Sequence, residues 1–537
     1  MFLRRSSRFP SLTPRRYHIP SLRHYSSITS TISPQNGFPH TPTPTPPPFS
    51  TSPTSELPPL SIMPLPLLLK SYLITSILAS PKIIKFFLPL LNKLANSSST
   101  ILNPDRNPVL HMIVRKFIYD HFIAGENATQ VRARVKEMKG LGFSGVILGY
   151  AREVNVSGGE VGGDVSGVSK EVGERAIREW RDGLMSTLSL LQPGDFLSLN
   201  PKNKSAKPPT PRFSGAGPLV LHALQNGLPP PPLLLQSMHI LLRTAASQSA
   251  RIWLDAEQQD LQHTIESWTI DLMRIYNTGS QALLYTTMQA YLRSTPSNIL
   301  RCLKLAQKEN WVLGIKLVRG AYIATEKREL IWGSIEETHE AYNGIAAGLL
   351  SLSYPGIDVE KNTAMTEKTE EMGKENAYPR AELFLATHNE ESIKKAYTLQ
   401  SSRILSGKPT IELAFGQLQG MADEISCSLL QLRRKESQDS NSTSSASKGL
   451  VKSEEESRLT QALKPKAYKC MVWGSTQQCL QFLLRRVKEN GDALGRTGYW
   501  VEGFKREIWR RVRSSSGIKR RRVLESANGG MARKRVL

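Results

Sequence analysis

From residue 144 onward, short runs of consecutive apolar residues alternate with longer stretches whose apolar residues recur every three or four positions. Unbroken apolar runs predict strands buried on both faces, and the three-to-four spacing predicts helices with one packed stripe. Eight such strands are expected, over 144–150, 195–199, 251–257, 281–291, 312–322, 381–389, 411–418 and 467–473. Helical patterns such as 173–191, 298–310 and 474–490 separate them. Eight strand-then-helix units in series predict the α/β class, a (βα)8 TIM-like barrel with its parallel strands inside.

The exceptions to the apolar rule fall in one place. Asp255 and Glu257, Gln289, Lys316 and Arg319, His388 and Asn389, and Gln417 all lie at or near the C-terminal ends of their strands. Barrel enzymes build their sites on that face. The stretch 311–325, WVLGIKLVRGAYIAT, carries the strongest signal. A lysine inside a buried strand is costly without a partner or a bound anion. In this run Lys316 interrupts the strand, Gly320 follows Arg319 where the backbone must bend or come close to something, and Tyr322 adds a polar tip.

Upstream the pattern changes. Residues 65–94 are apolar but contain Lys70, Lys82 and Lys85, with Pro81 and Pro89. A membrane span requires about 20 uninterrupted apolar residues. This segment instead predicts two amphipathic helices that pack on the main domain or touch a membrane surface. A further helix is expected over 109–123. Polar segments near 200–211, 354–378 and 435–465 predict disordered inserts in the barrel.

Composition marks off the ends. Residues 1–55 contain no Asp or Glu and open rich in Arg and Ser, the composition of a mitochondrial transit peptide. The expected organisation is therefore a transit peptide over 1–55, a linker and helical arm over 56–108, the barrel over 109–510, and a disordered basic tail over 511–537. The net charge of +24 is concentrated at the two ends, and no RNA-recognition, zinc-finger or homeodomain pattern accompanies it, so no nucleic-acid partner is expected. Four cysteines without paired spacing argue against a disulfide framework or zinc site. No Ser-His-Asp set, P-loop, HExxH or GxGxxG motif appears.

In the last helix, Arg485 and Arg486 lie four and three residues before Glu489. They form either a surface ion-pair cluster or a double guanidinium clamp for a carboxylate. The residues alone thus predict a barrel enzyme for a small anionic substrate, with room for a bound cofactor.

The motifs LDAEQQ (254–259), TTMQAYL (286–292), KLVRGAY (316–322), FLATHN (384–389), GQLQGM (416–421) and LLRRVKEN (483–490) occur in the order found in proline dehydrogenases, which this chain resembles over roughly 117–490. The resemblance implies a flavin-binding (βα)8 barrel on the matrix side of the inner mitochondrial membrane. Such an enzyme uses FAD to oxidise L-proline to 1-pyrroline-5-carboxylate and passes the electrons to quinone.

It also implies roles for particular residues. Arg485 and Arg486 hold the proline carboxylate, with Glu489 orienting them. Tyr322 walls the ring, Asp255 forms part of the polar floor, and Leu418 is an apolar wall. Lys316 sits near the flavin N5. Gln289, Val318, Arg319, Gly320, Ala321, Thr387, His388 and Asn389 match flavin-contacting positions.

Two departures stand out. The family's lysine at the end of strand two is replaced by Arg212, reached only if 200–211 is an insertion. The family's tyrosine four residues before the glycine that opens helix eight is Cys470, where the hydroxyproline-oxidising branch carries a serine. The alternatives are therefore a hydroxyproline dehydrogenase or a catalytically impaired barrel.

Overall fold

The computed structural model describes residues 57–151, 169–199, 214–323, 325–357, 377–446, 454–489 and 498–514, all within the compact unit Thr45–Leu537. The eight expected strands all form: β2 (Gly145–Tyr150), β3 (Phe196–Leu199), β4 (Arg251–Leu254), β5 (Leu284–Gln289), β6 (Leu313–Val318), β7 (Ala381–Ala386), β8 (Glu412–Leu418) and β9 (Lys466–Trp473). Every pairing is parallel, and β9 bonds to both β2 and β8, which closes the barrel. A short β1 (Ile123–Gly125) lies alongside the end of β9, pairing with Val472 and Trp473.

Side chains of alternate strand residues fill the interior. Ile147, Phe196, Trp253, Tyr285, Phe384, Ala414 and Tyr468 make one buried cluster. Its aromatic rings need space that a glycine on a neighbouring strand supplies: a Cβ on Gly416 would lie 2.5 Å from the Phe384 ring. Below this layer, at the N-terminal ends of the strands, Arg251 pairs with Glu382 at 3.2 Å and Glu412 at 3.4 Å. Tyr285 donates to Glu382, and Lys466 pairs with Glu412 at 2.8 Å. The charged floor is therefore satisfied internally, as buried charges require.

The arm before the barrel has the two expected helices, α1 (Leu65–Leu78) and α2 (Pro81–Asn96). Prolines near their first turns suit helix starts, where the missing N–H has no helical partner anyway. Leu60, Met63 and Leu68 pack with Cys427 and Phe504, and α2 packs through Leu94 and Ala95 on Leu480 and Leu484. Among the described residues no helix is long and apolar enough to cross a membrane.

Several expectations are corrected. The helix expected over 109–123 forms over 108–122 with a π turn at Arg115–Tyr119 inside it, and only its last residue differs, since Ile123 enters β1 beside β9. The insert at 435–465 is not wholly disordered, since helices Asp423–Ala446 and Glu454–Leu463 occupy both its ends. At the edge of the second insert Tyr354 is buried and its hydroxyl donates to the Pro296 carbonyl at 3.1 Å. A helix over 498–514 takes in the first four residues of the expected tail, and Arg511 binds Glu507 at 2.6 Å and the Met63 carbonyl at 2.9 Å, so the start of the tail belongs to the folded body. The expected transit peptide, the expected insert at 200–211 and the rest of the expected tail lie outside the described residues.

Candidate functional site

The C-terminal rim of the barrel gathers the polar exceptions of the sequence. Lys316 near the end of β6 meets Asp255, just past β4, in an ion pair with both residues only 9% exposed. Alternation along the strands forces this meeting, because Lys316 and Asp255 both point inward. Asp255 also accepts from the Ser198 hydroxyl at 3.3 Å, and the Lys316 ammonium stands 4.0 Å from the centre of the Trp253 ring. The lysine thus has a charged partner and a π face, which together offset its desolvation.

Gln289 ends β5 and ties two rim loops together. Its amide donates to the Glu257 carbonyl at 3.3 Å and accepts from the Ala321 N–H at 3.1 Å. Between them the backbone turns at Gly320 with φ of +150°, where an added Cβ would lie 2.3 Å from the Tyr291 ring. The turn sets Tyr322 over the loop after β4, where its hydroxyl donates to the Ala256 carbonyl at 3.3 Å.

Arg319 crosses from β6 to β7. It donates to His339 at 3.1 Å, to Thr387 at 2.9 Å and to Ser392 at 2.9 Å, and lies 4.3 Å from the Tyr342 ring centre. Asn389 caps the helix Glu390–Leu405, accepting from the Ser392 N–H at 2.9 Å. His388 accepts from the Leu418 N–H at 3.1 Å, which joins the rims of β7 and β8. Leu418 and Cys470 are register partners on β8 and β9, and both line an apolar cavity of about 690 Å³. Val318 is the register partner of Gln289.

Thirteen of the expected site residues therefore lie on this one rim. Arg485, Arg486 and Glu489 fall on the last turns of the helix Thr476–Glu489, and their side chains lie outside the described residues. Arg212 lies outside them altogether. Sequence reasoning missed Trp253, Ser198, His339 and Tyr342. The first is two residues before Asp255 and so on the same side of the strand, a signal that was present. His339 and Tyr342 come from a helix whose contact with Arg319 no local pattern announces.

The rim is rich in donors and cations, with Lys316, Arg319, His388, Thr387 and Gln289 side by side. That donor set fits an anionic, phosphate-bearing cofactor such as FAD.

The proline dehydrogenase family model matches residues 131–498. The chain belongs to the proline dehydrogenase family. It is 28% identical to mitochondrial proline dehydrogenase 1 of Caenorhabditis elegans over 50% of this chain and 36% of that protein. The chain thus spans well under half the length of that relative. It is 24% identical to bovine hydroxyproline dehydrogenase over 74% of this chain and 82% of the relative. Among solved structures, proline utilization A from Bdellovibrio bacteriovorus, inactivated by N-propargylglycine, has the same fold, with TM-score 0.51 at 14% identity over 78% of this chain and 38% of its own.

Proposed function

We propose that this chain oxidises L-proline to 1-pyrroline-5-carboxylate as an FAD-dependent dehydrogenase in proline catabolism. It hands the electrons to a quinone at the matrix face of the inner mitochondrial membrane. The observation that carries this reading is the inward-facing Lys316–Asp255 pair at the barrel mouth, in a chain of the proline dehydrogenase family.

FAD, when bound, supplies the acceptor for the hydride leaving the carbon next to the ring nitrogen. Gln289, Arg319, Thr387, His388 and Asn389 hold it, with the backbone of Val318, Gly320 and Ala321 alongside. The chain's own residues do the rest. Arg485 and Arg486 bind the substrate carboxylate as paired forks, with Glu489 orienting them. Tyr322 and Leu418 confine the ring, and Asp255 fixes the Lys316 ammonium where negative charge develops. The acid-free leader over 1–55 serves as the targeting segment. Arg212 takes the position of the family's strand-two lysine.

The test is spectroscopic. Purified protein should show flavin absorbance that bleaches on anaerobic addition of L-proline. Arg485→Met should raise the proline KM at least tenfold with flavin retained, since truncating one member of a buried charge pair costs about 2–5 kcal/mol. A bound flavin that stays oxidised with both proline and hydroxyproline overturns the assignment.

A further inference from the structure

Among the described residues the arm leaves a large apolar face uncovered. Phe86 is 72% exposed and Met112 62% exposed, and Leu73, Phe87, Leu90 and Phe117 are also exposed. Patches of this kind on a folded protein mark interaction surfaces. The charges carried by the arm itself have a single sign, with the acidic Asp105 and Asp120 following it in the chain. From residue 57 to residue 104 the chain contains four lysines and neither Asp nor Glu. Lys82, Lys85 and Lys93 are exposed on α2, the helix that carries Phe86, Phe87 and Leu90. Apolar side chains ringed by lysine on short helices that cannot span a bilayer match a surface that sinks into an anionic membrane.

Beneath the same face lies the cavity of about 690 Å³. Its outer wall includes Leu73, Ile77, Phe87 and Leu90 of the arm, and its wall on the barrel side includes Leu418 and Cys470 at the candidate site. Thr75 and Gln419 are the polar residues among its lining. A cavity so apolar offers almost no hydrogen bonds, so it suits a hydrocarbon chain better than an amino acid or a nucleotide. Its size matches that of a ligand pocket.

We infer that the cavity is the site for the apolar chain of a bilayer-resident quinone, and that the arm docks on anionic lipid so that this chain enters sideways from the membrane. This rests on the proline-oxidising reading. Oxidation of proline to the cyclic imine releases two electrons and two protons, and the quinone takes up both to become a quinol, so the reaction closes with no further reactant. The quinone head would approach the barrel mouth past Leu418, while proline arrives from water.

The experiment uses the whole protein and two benzoquinones with one headgroup, one carrying a decyl chain and one without. The wild-type protein should bind the decyl quinone at least tenfold tighter, read by quenching of tryptophan fluorescence, and should show a correspondingly lower KM for it. Leu91→Trp, which fills the cavity, should abolish the difference while proline-dependent reduction of a water-soluble dye is unchanged. Leu110→Phe provides the same test should the tryptophan disturb folding. Phe86→Glu should release the protein from phosphatidylglycerol vesicles, and wild type should ignore pure phosphatidylcholine. Equal affinity for both quinones overturns the inference. So does a stable dimer, or an arm covered by the chain's own leader, that binds no vesicle. Loss of proline-dependent dye reduction in the wild-type protein would instead overturn the proline reading, so the two failures are distinct.

Discussion

On the proposed reading, Cys470 stands at the edge of the cavity nearest the substrate ring. It is half-buried, lines the apolar cavity, and faces Leu418 in register. A tyrosine there would fill that space, whereas a thiol leaves it open and is itself only a weak hydrogen-bonding group. A hydroxyl on the proline ring would therefore be accommodated, but a buried hydroxyl without a partner costs about 1–3 kcal/mol. The expected outcome is a proline enzyme with measurable activity on trans-4-hydroxy-L-proline. Cys470→Tyr should lower kcat/KM for the hydroxylated substrate at least tenfold relative to proline. Unchanged relative rates would place the determinant elsewhere.

At the scale of elements, β6 and the turn after it hold the site together. Gly320 combines a positive φ with the Tyr291 ring packed against its α-carbon. Gly320→Ala meets both obstacles, so a loss of about 1–3 kcal/mol in stability is expected. Protein that survives should retain less than half its flavin, measured by absorbance after gel filtration. Full retention would show that the turn can shift without cost to the cofactor.

The strands were legible because parallel strands buried on both faces have almost no polar interruptions, and those that occurred marked the rim. Their ends are shorter than expected, as in Leu313–Val318 against 312–322, because the backbone turns away at Gly320. The end of the 109–123 helix before Ile123 was not legible, since Ile123 pairs with β9, more than 300 residues later in the chain. The contact of Arg319 with His339, 20 residues later, was hidden because no local periodicity says which face of the following helix meets the rim.

For the whole molecule, the junction between arm and barrel makes stability depend on pH. His121 is buried beside Phe122 and the backbone of Gly420. Burial pushes its pKa down to about 4, against the opposing pull of Asp423 and with a smaller contribution from Lys70 and Lys469. The unfolded chain, with an ordinary histidine near 6.5, therefore binds more protons between those values. Stability from this group is complete above about pH 6.5 and declines as pH falls toward 4, by an amount on the order of 3 kcal/mol. Urea midpoints at pH 7.5 and pH 5 should differ less in His121→Phe than in the native protein. An identical difference in both would assign the acid sensitivity to other groups.

The charged floor has its own consequence for traffic. Arg251, Glu382, Glu412 and Lys466 fill one end of the barrel, and a buried aromatic layer packs directly above them. Burial holds the Glu382 carboxyl above its ordinary range despite Arg251. A cylinder stoppered at the bottom cannot work as a conduit. Whatever reacts here must come and go at the same end, and two reactants of opposite polarity avoid obstructing each other only if water serves one approach and oil the other.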